Sequence, residues 1–368
     1  MEEKVLYLGL EESELSFNLE KAVCNHGFFM MPPNRWNSSA KTLQRPLRLS
    51  DGQASLTVSI SHPPNLPYLL IHLQNHPSSS LSSQDHNTIL EQVRRMLRIT
   101  ERDERDVREF HKVCPQAKEK GFGRVFRSPS LFEDAVKSIL LCNCTWTRTL
   151  QMAQALCDLQ LELTKGTKTS DRKRKRGKNR KPSKGGKCKK DDSELTCSKI
   201  GNFPTSKELA SIDEIFLENN CPILGYRAKY ILKLAKHVEN GKVRLDEIEK
   251  LAAAENASIE QVYRKLMNID GFGSFVSANV LMCIRHYQRI PADTETIRHL
   301  QQVHGRKECN KKNIQQEAQE IYEKYAPFQC LAYWMELLDY YENKFGKLSD
   351  LPESSYGTIS GRLKPIGN

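Results

Sequence analysis

The chain has 368 residues, enough for two or three domains and a sizeable core. Its formal net charge of +11 is concentrated: residues 165–190 hold 14 Lys or Arg against one Asp, a net of +13, so the remainder nets −2. This excludes a uniformly basic body, and the absence of any run of membrane-spanning length excludes a transmembrane bundle.

In chain order, residues 1–100 read as a small mixed α/β domain built on an antiparallel sheet. Leu47 to Leu49, a turn at Ser50 to Gly52, and Leu56 to Ile60 make a strand–turn–strand pattern with clear alternation. Tyr68 to Leu73 adds a strand, and Phe28 to Met31, before Pro32 and Pro33, reads as another that runs into a loop holding Trp36. A serine-rich loop at 77–83 precedes helical spacing at Ile89, Leu90, Val93, Met96 and Leu97. Helical patterning then covers 101–163 and 203–350. Ser130 with Glu133, and Thr205 with Glu208, are capping boxes that open helices. Residues 164–202 hold almost no apolar side chains and are expected to form a disordered basic insertion, and 351–368 a C-terminal tail.

The densest signal lies between Ile259 and Thr294. Ile259, Val262, Tyr263, Leu266 and Met267 sit at helical spacing, then Gly271-Phe272-Gly273 permits a sharp turn, then Val276, Val280, Leu281 and Ile284 mark a second apolar helix. The helix after Gly273 starts with unpaired N–H groups that suit a phosphate, with Ser274 beside them. Pro291-Ala292-Asp293 then opens another helix, 20 residues beyond Gly273. Gly-x-Gly alone is a weak signal and an Asp at a helix start is usually a cap. The ensemble is far more specific.

That ensemble resembles the helix–hairpin–helix Gly/Pro/Asp (HhH-GPD) DNA glycosylases, over roughly 120–163 and 203–340. The resemblance implies a mainly α fold, a two-lobed helical glycosylase domain preceded by the small antiparallel α/β domain. It also implies a DNA base-excision enzyme acting on double-stranded DNA that carries a damaged base, with Asp293 as the catalytic carboxylate. Gly271, Gly273 and Ser274 would grip the DNA backbone. Bifunctional members place a lysine two residues after the second hairpin glycine. Here that residue is Phe275, which lacks the amine needed for a Schiff base, so a monofunctional enzyme is expected. Asn143 and Arg148 stand where the 8-oxoguanine enzymes fill the gap left by the flipped base and contact the orphaned cytosine. Arg227, in Gly225-Tyr226-Arg227-Ala228, stands in a similar stretch of the same enzymes and is taken as a DNA contact. Their late-helix Gln and Phe, which hold 8-oxoguanine, are replaced by Tyr333 and Leu337. Phe275, Tyr333 and Trp334 instead suggest an aromatic pocket for an electron-poor alkylated purine. An 8-oxoguanine-type glycosylase/lyase and a non-catalytic DNA-binding hairpin stay open as alternatives.

Two charge-based expectations concern Asp293 and the insertion. The helix dipole should keep Asp293 ionised, the state that stabilises an oxocarbenium-like cation. The cluster Arg172 to Arg176 suits a nuclear import receptor, which places the protein in the nucleus. Eleven cysteines, an odd count with no paired framework, point to reduced thiols. Only Cys309 and Cys330 follow the Pro-Asp turn, too few for the iron–sulfur cluster of some relatives, so no cofactor and no metal are expected. A monomer is expected.

Overall fold

The computed structural model describes residues 4–10, 17–74, 81–174, 201–254 and 257–360, with side chains to residue 165 in the helix that ends at Arg174. Five strands come first: β1 (Lys4–Gly9), β2 (Arg35–Asn37), β3 (Thr42–Arg48), β4 (Ser55–Ser61) and β5 (Tyr68–Gln74). They form one antiparallel sheet in the order β1-β5-β4-β3-β2. Alternation sets the register: Leu43 pairs with Ile60 and Val58 with Leu73, all four on the buried face. Pro46 is tolerated in β3 because β2 reaches only as far as Gln44, so no ladder bond is asked of its missing N–H on that side.

The segment Phe28 to Met31 departs from expectation. It is part of a 3-10 turn, Gly27–Met30, not a strand, and all four side chains are buried. A run that buries every residue has no reason to alternate, and a tight turn packs it on both sides.

Helix α1 (Ser83–Leu97) covers the sheet, its start fixed by a Ser82–Asp85 capping box and its end by Arg98 at φ +54. The helices that frame the site are α2 (Leu131–Leu141), α3 (Trp146–Arg174), α4 (Arg227–Glu239), α5 (Ile259–Met267), α6 (Ser274–Cys283), α7 (Thr294–Val303), α8 (Ile314–Tyr322) and α9 (Gln329–Phe345). One hydrophobic core joins the sheet to α1, α2 and the α5–α6 hairpin. A second gathers Phe110, Met282, Leu300, Tyr322 and Tyr333 around α7, α8 and α9. The α/β unit and the helices are therefore packed as one body. Arg45 of β3 also crosses between them to Glu133 of α2 at 3.1 Å, and Lys137 completes a buried ionic triad at 2.8 Å.

Helix α3 runs past residue 163 to Arg174, and at Gly201 an added Cβ would stand 2.0 Å from the Cys157 carbonyl oxygen. Asn202, expected in the insertion, is buried and accepted into the fold by Gln160 and Ser55. The side chains of the Arg172 to Arg176 cluster and the rest of the basic run lie outside the described residues, as do 77–80 and 361–368. The stretch 351–360 is no loose tail: the Trp146 indole donates to the Tyr356 carbonyl at 2.9 Å, and Tyr356 and Ile359 are buried.

Candidate active site

The hairpin is built as its glycines require. Phe272 is buried and plugs the turn into the core, its N–H donating to the Ile269 carbonyl at 3.0 Å. Gly271 has φ +85, and a Cβ there would lie 2.6 Å from the ring of Tyr230 on α4. Conformation and close approach both demand glycine. Around Gly273 there is open space, and it and Ser274 are exposed. No side chain caps α6 at Gly273, so its first N–H groups are offered outward. The other end of α6 is held by buried Arg98, which donates to the Met282 carbonyl at 2.9 Å, and by Arg127, which donates to the Cys283 carbonyl at 2.7 Å. A small cavity against the hairpin is lined by Tyr263, Ser274, Ala278, Arg289, Ile290 and Gln315. None of Phe275, Tyr333 or Trp334 lines it.

Asp293 is the N-cap of α7. Its Oδ1 accepts the N–H groups of Glu295 at 2.9 Å and Thr296 at 3.1 Å, while Thr296 Oγ1 accepts the Asp293 N–H at 3.2 Å. Thr296 Oγ1 also lies 3.4 Å from Oδ1. All of these carboxylate bonds end on Oδ1, so among the described residues Oδ2 accepts no hydrogen bond. Asp293 is exposed, yet protein is dense around it. That crowding desolvates the carboxyl and raises its pKa above the ordinary Asp value; the two backbone N–H bonds pull it down by less, and Glu295 adds to the rise. Desolvation is thus the largest influence on the Asp293 carboxyl, with the two helix-start N–H groups acting against it.

The residues behind Asp293 are buried. Tyr333 on α9 is 2% exposed, and its hydroxyl shares a 2.9 Å hydrogen bond with Thr296 Oγ1. Expected as a pocket wall, Tyr333 instead reaches Asp293 through Thr296, because its ring is packed against His299 and Tyr322. Trp334 is half-buried, edge-on to His26 at 4.4 Å and to Tyr333 at 5.8 Å. Phe275 is half-buried against the main core, and among the described residues no ring contact joins it to Tyr333 or Trp334. The structure therefore pairs Tyr333 with Trp334 and leaves Phe275 at the hairpin. Glu295 is tied by Tyr341 Oη at 2.9 Å and Arg298 Nε at 2.8 Å, so it orients the helix start.

Asn143 is exposed at φ +45, a conformation that Asn tolerates better than most residues. Arg148 is exposed and donates to the Ile223 carbonyl at 2.9 Å. Arg227 corrects its expected role. It is buried, stacks on the Tyr226 ring at 4.6 Å, and donates through Nη2 to the carbonyls of Cys142 and, at 3.3 Å, of Asn143. A guanidinium that is buried and spent on two carbonyls 84 and 85 residues away shapes the Asn143 turn. Sequence reasoning missed Thr296, Tyr230 and Arg98. Only Thr296 left a local trace, an Asp-x-x-Thr spacing that fits a capping box.

The family profile of the HhH-GPD superfamily base excision DNA repair proteins matches residues 136–324, spanning α2, the hairpin and Asp293. The chain belongs to that superfamily. As such it is a DNA glycosylase. No curated protein matches it in sequence. Among solved structures, MBOgg1 in complex with a low-affinity DNA ligand shares the fold at TM-score 0.57 and 18% identity, covering 94% of this chain and 100% of that one. The Clostridium acetobutylicum 8-oxoguanine glycosylase/lyase in its apo form is similar at TM-score 0.57 and 16% identity, covering 92% and 98%. The 3-methyladenine DNA glycosylase from Archaeoglobus fulgidus is similar at TM-score 0.55 and 15% identity, covering 94% and 99%. These values establish the shared HhH-GPD fold, and they fall equally on enzymes of oxidised and of alkylated bases.

Proposed function

We propose that this HhH-GPD protein is a monofunctional glycosylase that extrudes an alkylated purine from duplex DNA and hydrolyses its N-glycosidic bond. The observation that carries the reading is Asp293, reachable from solvent with Oδ2 free, 20 residues beyond a hairpin whose Lys-equivalent position is Phe275. Breaking the bond builds positive charge on the deoxyribose, and a carboxylate fixed at that spot favours the transition state over the neutral substrate. Its raised pKa also makes Asp293 a better base toward the attacking water. The exposed Asn143 and Arg148 supply polar edges for the gap that extrusion leaves, with Arg227 holding their turn. Cleavage of a glycosidic bond already weakened by alkylation needs the least help, which suits a site with no hydrogen-bonding Gln at position 333. The basic cluster Arg172 to Arg176 is proposed as a nuclear import signal, and the protein as a monomer.

The test is a panel of duplex oligonucleotides, each with one modified base, scored for base release, strand scission and borohydride trapping. Release of alkylated purines without scission or trapping is expected. Release of 8-oxoguanine with a trapped adduct would replace this reading with a bifunctional one. Tight binding without release from any lesion would leave a DNA-binding hairpin only.

A further inference from the structure

The packing of α7 against α8 and α9 gathers a group of side chains that the chemistry at Asp293 does not use. His299 lies on α7, His304 caps its C-terminus, and Glu336 lies on α9. Glu336 Oε2 is 3.4 Å from His299 Nε2 and 2.8 Å from His304 Nε2. The Tyr322 hydroxyl, at the end of α8, donates to the same oxygen at 2.6 Å and lies 3.2 Å from His304 Nε2. The ligand atoms of the two His and the Glu all fall within 4.8 Å of one another.

We propose that His299, His304 and Glu336, with Tyr322 as a fourth oxygen, form a binding site for a divalent cation of the zinc class that locks α7 to α8 and α9. Three hydrogen-bonding groups converge on one carboxylate oxygen, which is more than its lone pairs serve well. Replacing those protons by one cation at the centre relieves the crowding. Donors about 2.1 Å from a tetrahedral ion stand about 3.4 Å apart, the His299–Glu336 separation, while the 2.8 Å His304 and 2.6 Å Tyr322 contacts to Glu336 have to open by about 0.6 and about 0.8 Å. Two neutral imidazoles and a carboxylate are a donor set that zinc and its first-row neighbours prefer. The His299 ring is held by edge-on packing against Tyr333 and His304 rather than by a bond to its Nδ1, which has no partner. His299 is fully buried, while the side chains of His304 and Glu336 are 22% and 25% exposed, so an ion has a way in. Four protein donors fill a tetrahedron and leave no open position, which makes the site structural. Tyr333 touches both His299 and Thr296, so the locked helix end communicates with the N-cap through one ring.

The experiment titrates the chelator-stripped full chain with Co²⁺ in its visible absorption and, separately, with Zn²⁺ by thermal melting. One equivalent of Co²⁺ should give the visible bands of a tetrahedral N/O site, without thiolate charge transfer. Zn²⁺ should raise the melting temperature. Removing one ligand should weaken binding by at least about tenfold, since outer partners alone are worth that much. His304→Ala and Glu336→Gln should both show it, and the second preserves a hydrogen-bond acceptor if the first fails to fold. No tetrahedral band would overturn the proposal and leave a hydrogen-bonded cluster. So would bands with thiolate charge transfer, or bands unchanged in both variants. Base release by the metal-free chain, measured alongside, keeps this outcome separate from that of the proposed glycosylase reaction.

Discussion

Replacing Asp293 by Asn isolates charge from geometry. The Oδ1 atom that accepts the Glu295 and Thr296 N–H groups has a counterpart in the Asn side chain, and Asn caps helices about as well as Asp. The variant should therefore fold and keep α7 in place. What it loses is a negative charge facing a developing cation. At about 4 Å and an effective dielectric near 20, that attraction is worth about 4 kcal/mol, or about a thousandfold in rate. Crowding around the carboxyl argues against a more water-like dielectric. The assay is single-turnover base release on the preferred lesion, with abasic sites read out by alkaline cleavage, beside anisotropy of a labelled duplex. Release should fall by about 10³ while DNA affinity stays within about tenfold. A variant that releases base within tenfold of the parent would refute the role of Asp293.

The same substitution has a pH signature. A carboxyl whose folded pKa is raised costs no stability below its unfolded value and loses stability as pH rises through the folded one. Asp293→Asn should therefore melt higher than the parent at pH 7 and no higher below about pH 3.5. Tyr333→Phe keeps the ring and removes the hydroxyl bonded to Thr296. A loss of about 1 kcal/mol, or about fivefold in single-turnover rate, is expected, with KM unchanged. No change in rate would return Tyr333 to a purely packing role. Gly271→Ala forces a side chain to φ +85 against Tyr230 and should cost at least about 1–2 kcal/mol in urea unfolding. Arg227→Ala should slow release from duplex DNA more than from single strands, because it frees the turn that presents Asn143; equal slowing on both would count against that role.

What the sequence made legible was local. The hairpin glycines and the caps at Ser130 and Thr205 are each set by residues within four positions; the structure forms the hairpin and the full box at Thr205, while at Ser130 only the hydroxyl caps, since Glu133 is drawn to Arg45 and Lys137. The sheet was legible through alternation, except at Phe28 to Met31, where every side chain is buried and periodicity has nothing to report. Arg227 and Tyr333 were misplaced for a common reason. Both are polar residues whose partners are far away in sequence: the Cys142 and Asn143 carbonyls for one, Thr296 for the other. An exposed functional Arg and a buried Arg holding two carbonyls look the same in sequence. His299, His304 and Glu336 escaped likewise, since a helix end separates the two His and 32 residues separate His304 from Glu336.

This division bears on where substrate choice resides. Asp293 is exposed, but the side chains that fix it, Thr296 and Tyr333, are buried, and α6 is pinned at its far end by buried Arg98. The support is thus interior and ties the position of the carboxylate to the packing of α6, α7 and α9. Relatives for oxidised and alkylated bases share this fold at 15–18% identity and similar TM-scores. Discrimination between bases cannot then come from the framework. It has to come from the side chains exposed around Asp293. Phe275, at the start of α6 beside the hairpin, is half-buried and takes no part in the Asp293–Thr296–Tyr333 chain. Substituting Phe275 by Lys and scoring borohydride trapping therefore tests whether an amine at the hairpin changes the chemistry while the carboxylate stays in place.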